Sequence, residues 1–248
     1  ALEEIDRCLD NNWHNHKARA LKVLLLRKCH ENDKAMKLIE ESLAFDQFNY
    51  GCRVELAKQA ISSHEYDKAI TLLSQCLEYP HHLGEGKLHG AQENDFYYLL
   101  GIAYDSLGET EKAHCCWKRA TEGPQEPAAA MYYNDSKPDK IFYQGLALRK
   151  LEREGEAHGR FYKLINYGKQ HIFEKQVMDY FAVSLSDLLI WEDSLDTINL
   201  IHCKYMLALG YYGMGETDKA LNFLEEVEAL DNNHQGIQQF RTLIDSNL

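Results

Sequence analysis

The chain has 248 residues, 45% of them hydrophobic and 11% aromatic, which is enough apolar surface to bury a sizeable core and argues against a disordered polymer. Its formal net charge is −12, with 27 Lys and Arg scattered among 39 Asp and Glu, so counterion release has no basic surface to act on and nucleic acid is not an expected partner. Only 4 Pro and 15 Gly interrupt it, and no long run alternates β-branched with polar residues, so helix is expected throughout and sheet nowhere.

In chain order, the pattern that repeats is a small residue followed by further buried-type residues four and seven positions later. It occurs as Ala1, Ile5, Cys8; Ala35, Ile39, Ser42; Ala69, Leu73, Cys76; Ala113, Trp117, Ala120; Ala157, Phe161, Leu164; and Ala220, Leu224, Val227. The alanines are separated by 34, 34, 44, 44 and 63 residues, which reads as a 34-residue unit carrying insertions of 10, 10 and 29 residues. A small residue in the first turn of a second helix lets two antiparallel helices approach closely, and larger residues one and two turns on fill the space toward the next pair. Second helices are therefore expected to start near residues 1, 35, 69, 113, 157 and 220. First helices lie upstream, marked by Leu56 and Ala60, Leu100 and Tyr104, and Leu207 and Tyr211.

This predicts one array over 1–248: a half repeat at 1–15, repeats at 16–49, 50–83, 94–127, 138–169 and 201–234, and a C-terminal helix at 235–248. Insertions fall at about 84–93, 128–137 and 170–200. An array that opens on a second helix lacks that helix's partner, so the stripe Ala1, Leu2, Ile5 and Leu9 is expected to be uncovered. The joints "SLGETEKA" and "GMGETDKA" place Gly108 and Gly215 where a helix ends in the left-handed region, with Thr110 and Thr217 as candidate caps for the next helix. Neither is a phosphate loop, because each follows a helical pattern rather than a strand.

These residues resemble the tetratricopeptide repeats. Leu100, Gly101, Tyr104, Gly108, Ala113, Trp117 and Ala120 carry the match in one unit, and Leu207, Ala208, Tyr211, Gly215, Ala220 and Leu224 in the last. Gly145, Ala157 and Phe161 make a weaker third, and the units at 16–49 and 50–83 have Val23 and Ala57 in place of the first-helix glycine. The resemblance implies an all-α fold, a right-handed α-α superhelix of stacked helix-turn-helix repeats with inserted loops. It also implies that first helices line a concave groove. The lining would be Lys17, Ala20, Leu24, Arg27 and Lys28, then Val54, Lys58 and Ile61, then Asp95, Tyr98, Ile102 and Asp105. It would continue with Asp139, Phe142, Leu146, Arg149 and Lys150, and then His202, Tyr205, Leu209 and Tyr212. Members of the family that clamp a chaperone tail use Lys and Asn where this chain has Ala20 and Leu24, so such a clamp is not implied here. More narrowly, "LGEGKLHGAQEND", "AAAMYYNDSKPDKIFYQGLAL" and "DYFAVSLSDLLIWEDSL" resemble the C-terminal helical region of large bacterial proteins. Those proteins carry an N-terminal β-rich domain and a β-sandwich like that of sugar mutarotases.

The chain carries no G-x-S-x-G, no H-E-x-x-H and no complete P-loop, and no cofactor is expected. His81, His82, His89 and Glu85 fall in one insertion but lack further ligands at metal spacing, so metal is not expected either. Seven cysteines, an odd number with no C-x-x-C, fit a reducing compartment and favour a cytoplasmic location. Runs such as "LKVLLL" are far short of the roughly 20 residues that span a bilayer. Acidic pairs such as Glu40-Glu41, Glu192-Asp193 and Glu225-Glu226 read as exposed helix charge rather than catalytic carboxylates. From 132 to 191 the chain concentrates aromatics (Tyr132, Tyr133, Phe142, Tyr143, Phe161, Tyr162, Tyr167, Phe173, Tyr180, Phe181, Trp191) that suit either packing or sugar stacking. The expected function is a non-enzymatic scaffold for a protein or peptide, or for another domain of its parent chain, with a carbohydrate-binding or catalytic-support module as the alternative. Its expected partner surface is Tyr98, Ile102, Asp105, Phe142, Arg149, Tyr205, Leu209 and Tyr212.

Overall fold

The computed structural model describes residues 1–78, 92–129, 135, 137–177 and 194–245. Among the described residues there are twelve α-helices and no strand. Helix α1 (Leu2–Asn11) precedes five hairpins: α2 (His16–Lys28) with α3 (Asn32–Phe45), α4 (Tyr50–Ser62) with α5 (Tyr66–Cys76), α6 (Asn94–Ser106) with α7 (Thr110–Ala120), α8 (Pro138–Lys150) with α9 (Glu154–His171), and α10 (Leu195–Gly213) with α11 (Thr217–Leu230). Helix α12 (Gln235–Asp245) closes the order. The signature alanines Ala35, Ala69, Ala113, Ala157 and Ala220 each stand fourth in a second helix and have no exposed surface. Helix α10 starts at Leu195, earlier than the expected 201, because Ser194 accepts a hydrogen bond from the Thr197 amide and fixes a start there.

All five hairpins turn in the same way. Five residues before each alanine, the backbone takes positive φ, at His30 (59°), His64 (60°), Gly108 (76°), Glu152 (60°) and Gly215 (81°). The next amide reaches back to the first helix each time, with Glu31 N to Leu26 O at 2.9 Å, Glu65 N to Ala60 O at 2.7 Å and Glu109 N to Tyr104 O at 2.9 Å. Arg153 N to Leu148 O and Glu216 N to Tyr211 O repeat it at 2.9 Å. This is the six-to-one bond of a left-handed C-terminal cap, which satisfies a carbonyl the helix end would leave orphaned. Because the turn leads directly into the next helix, the residue ahead of α11 is Glu216 with no side-chain capping bond, and Thr217 is already helical. Thr110 likewise opens α7 as its first residue, so the threonines are not the caps.

The joints between repeats use a different device. Asn12, Asp46 and Asp231 each accept a bond from the amide two residues on, from His14, Phe48 and Asn233. Three residues after each stands the cap of the next helix. Asn15 accepts from the Ala18 amide at 3.0 Å, Asn49 from Cys52 at 3.1 Å, and His234 Nδ1 from Ile237 at 3.3 Å. Asx turns followed by an N-cap satisfy the first amides of a helix without a linker. Where insertions lengthen the joint, buried amides bind its backbone instead. Asn94 donates to Ala120 O and Glu122 O, both at 2.8 Å, and Asn199 donates to His171 O at 2.7 Å.

The helices fall into two compact units. The first holds the described residues of 1–91, 99–116 and 238–248, and the second those of 92–98 and 117–237. In the first, Val23, Leu26, Ala35, Ile39 and Cys52 form one apolar cluster and Ile5, Ala18 and Leu25 another. The α1 stripe is thus covered in part: Ile5 is buried against α2, with Leu2 and Leu9 half-buried beside it. In the second unit the fully buried Phe161 fills a notch between two glycines. A Cβ added at Gly145 would come within 2.4 Å of its ring, and one at Gly213 within 2.2 Å. The ring of Phe142 lies 5.9 Å from Phe161, 6.0 Å from Tyr143 and 6.2 Å from Tyr212, and Tyr98 lies 5.6 Å from Tyr143.

The shared turn generates a prediction with opposite signs at equivalent positions. Left-handed backbone costs a residue with a Cβ roughly 1–2 kcal/mol, and the extra freedom of glycine in the unfolded chain offsets about half of that. Glu152→Gly is expected to raise the unfolding free energy by about 0.5–1 kcal/mol, and Gly108→Ala to lower it by about 1 kcal/mol, in urea titrations. Equal and same-signed effects at the two sites would show that the turn does not impose the conformation.

Candidate interaction surfaces

A groove of about 560 Å³ opens in the first unit. Helix α2 supplies Leu24, Arg27 and Lys28, the turn after it His30 and Asn32, helix α4 Lys58, Gln59, Ser62 and Ser63, and α12 Gln238 and Arg241. Four of these are cationic and none is a carboxylate, on a chain whose net charge is −12. Beneath the floor lies Glu55, buried, with Arg27 Nη1 at 2.5 Å from one oxygen and Lys58 Nζ at 2.9 Å from the other. Arg27 also donates to Gln59 Oε1 at 3.1 Å. One buried carboxylate therefore orients two cations whose charge it only partly offsets. Removing it would leave both uncompensated, at a cost of about 3 kcal/mol or more.

The second unit carries a polar pocket of about 210 Å³ lined by Ala129, Ile198, Ile201, His202, Asp231 and His234. His202 Nε2 lies 2.8 Å from Ala128 O, so that nitrogen carries the proton and Nδ1 is bare. His234 is the reverse, since its Nδ1 accepts from the Ile237 amide. Its ring packs on Tyr205 at 4.7 Å, and the Tyr205 hydroxyl donates to Asp139 Oδ1 at 2.7 Å. A Cβ at Gly236 would meet the Tyr205 ring at 2.6 Å, so the start of α12 lies directly over it. Burial lowers both histidines below the ordinary imidazole value, against the opposing effects of the Ala128 carbonyl and Asp139 on His202 and of Asp231 and Asp139 on His234. Lys137 and His234 reinforce the lowering at His202. Burial also raises the Tyr205 hydroxyl well above its usual value, which keeps it a donor.

The eight residues expected to form a partner surface divide by exposure. Tyr98, Phe142, Tyr205 and Leu209 are buried, Ile102, Arg149 and Tyr212 are half-buried, and Asp105 is exposed. Tyr98, Phe142, Arg149, Tyr205, Leu209 and Tyr212 belong to the second unit, and Ile102 and Asp105 to the first. Arg149 is occupied by Glu154 at 3.0 Å and the Gly213 carbonyl at 2.6 Å, and it lies over the Phe161 ring. Of the aromatic concentration after 132, Phe142, Tyr143 and Phe161 are core, while Tyr162 and Phe173 are exposed. The His81, His82, His89 and Glu85 group, and Tyr132, Tyr133, Tyr180, Phe181, Trp191, Glu192 and Asp193, lie outside the described residues. Gln238, Arg241 and the His202 to His234 pairing were not legible, because each joins parts of the chain far apart in sequence.

Among the described residues the fold is an all-α series of repeated helix hairpins. No family model matches the chain. Among solved structures it is similar to YrrB, described as a TPR protein with an unusual peptide-binding site, at 16% identity over 98% of this chain and 100% of that one, with a TM-score of 0.41. It is similar to BtubC from P. vanneervenii at 17% identity, covering 93% and 86% of the two chains with a TM-score of 0.45. A third is PilW, a type IV pilus biogenesis factor, at 12% identity over 95% and 87% with a TM-score of 0.42. Among the described residues no three His, Cys, Asp or Glu converge as a metal site, and no helix is long and apolar enough to cross a membrane.

The histidine pair fixes a pH dependence. Both folded values lie below the unfolded value of about 6.5, so the unfolded chain binds protons first and stability falls as pH drops from about 6.5 toward the folded values, then levels. His234→Asn restores the cap used at Asn15 and Asn49, and together with His202→Gln it is expected to flatten the loss between pH 7 and pH 5 in urea titrations monitored by circular dichroism. A double variant as acid-sensitive as the parent would assign the dependence to other groups.

Proposed function

We propose that this chain is a non-enzymatic scaffold that docks a polypeptide, and that the cationic groove of the first unit receives an acidic segment of it. The observation that carries this reading is the concentration of Arg27, Lys28, Lys58 and Arg241 around one open groove, with no carboxylate among its described lining residues, in an otherwise acidic chain. In such a field an acidic segment is steered to the groove and a basic one is repelled by it and attracted elsewhere on the surface. Repeated helix hairpins suit this task, since each adds a first helix to a continuous face without needing a catalytic cavity. The partner we favour is another domain of a larger bacterial protein, on the likeness of the inserted stretches to the helical ends of such proteins. Of the expected partner surface, Tyr212 and Arg149 keep exposure in the second unit that a docked domain can use, while the buried Phe142, Tyr205 and Leu209 of that unit hold the helices that present them.

Fluorescence anisotropy with a fluorescein-labelled peptide rich in Asp and Glu, against a Lys-rich peptide of equal length, tests the charge preference. Saturable binding of the acidic peptide alone is expected, weakening as salt is raised from about 50 to about 300 mM. Lys28→Glu with Arg241→Glu should lower its affinity at least about tenfold while leaving the Glu55 ion pairs intact. Equal binding of both peptides, or no loss in the charge-reversed variant, would remove the groove from the function.

A further inference from the structure

The pocket of the second unit has chemistry opposite to that of the groove. Among the described residues its lining holds one carboxylate and no Lys or Arg; Asp139 acts on both histidines as a second negative charge and Lys137 on His202 as a positive one. Asp231 uses one oxygen, Oδ1, in the turn to Asn233, which leaves Oδ2 as an acceptor. His202, with its proton on Nε2 toward Ala128, offers Nδ1 as a second acceptor. Ala129, Ile198 and Ile201 supply an aliphatic wall. Two acceptors beside an apolar wall, in a volume of about 210 Å³, suit a slender ligand with a hydrogen-bond donor head and a hydrocarbon stem. An anion would face Asp231 with no Lys or Arg among the described lining residues to hold it.

We propose that this pocket binds a primary ammonium on an unbranched aliphatic stem, the chemistry shared by a lysine side chain and a small alkylamine. The head sits between Asp231 Oδ2 and His202 Nδ1, and the stem lies along Ile198 and Ile201. Binding requires neutral imidazoles. The groups that set their charge are Asp139, Lys137, His234 and the Tyr167 ring around His202, and Asp231, Asp139 and Tyr205 around His234. The lowered histidine values keep the pocket open to a cation at neutral pH, and acid closes it by placing positive charge beside the ammonium site.

The test follows the imidazole Cε1–H signals of the whole chain by NMR at pH 7.5. The probes are Nα-acetyl-lysine N-methylamide, butylamine and the uncharged Nα-acetyl-norleucine N-methylamide. Saturable shifts of His202 and His234 are expected with the two amines, with Kd on the order of millimolar for ligands of this size, and none with the norleucine compound. Tighter binding of the lysine derivative identifies a polypeptide lysine as the source, and equal or tighter binding of butylamine identifies a small amine; either upholds the site. Asp231→Asn, which keeps Oδ1 for the turn as Asn12 does, should weaken both amines at least about fivefold. Three results would overturn the proposal: no saturable shift with either amine, norleucine binding as tightly as lysine, or affinities indifferent to Asp231→Asn.

Discussion

A fully buried alanine in the second helix of every hairpin sets how closely two helices meet, and the rest of the molecule follows from that distance. Close approach needs a turn that reverses the chain without spreading it, and the left-handed residue five positions earlier provides it with one six-to-one bond. The same closeness tightens the space where hairpins stack in the second unit. Phe161 enters the space that Gly145 and Gly213 leave empty. Once these contacts are made, the outward faces of the first helices have few structural duties and are available for surface chemistry.

The two surfaces use that availability in opposite ways, and burial decides both. In the groove, a buried carboxylate at Glu55 anchors Arg27 and Lys58, so cations on flexible stems are held at a defined place rather than averaged over solvent. In the pocket, burial drives two imidazoles toward neutrality, so neither adds positive charge beside Asp231 and His202 keeps a bare acceptor at Nδ1. An acidic chain can therefore present a positive groove, and a histidine-lined pocket can present a negative one. Net charge predicts neither, because it says nothing about which charges are paired or desolvated.

The period was legible because alanine at a close contact is a strong steric requirement, and it recurs at the expected offsets in every hairpin. The turns were legible only at Gly108 and Gly215. At His30, His64 and Glu152 the same backbone is imposed by the hairpin on residues that carry a Cβ and adopt it far less readily than glycine, so residue type gave no clear signal. The cap at His234 was hidden for a related reason: Asn15 and Asn49 announce a helix start by residue type, whereas an imidazole nitrogen does the same work without the usual signature. Leu24, Arg27, Lys28 and Lys58 line the groove at first-helix positions the repeat pattern indicates, but Gln238 and Arg241 come from the far end of the chain, where only the fold can bring them.

Histidine at the last cap also changes what that cap can do. An asparagine holds its helix start at any pH, since its carbonyl oxygen does not titrate, whereas His234 holds α12 only while Nδ1 is bare. The ring that caps the helix also packs on Tyr205 and lines the pocket, so one protonation bears on the helix start, the aromatic contact and the pocket charge together. Three otherwise separate features are thereby coupled through a single nitrogen, with Asp139 and Asp231 opposing the protonation cost and burial increasing it.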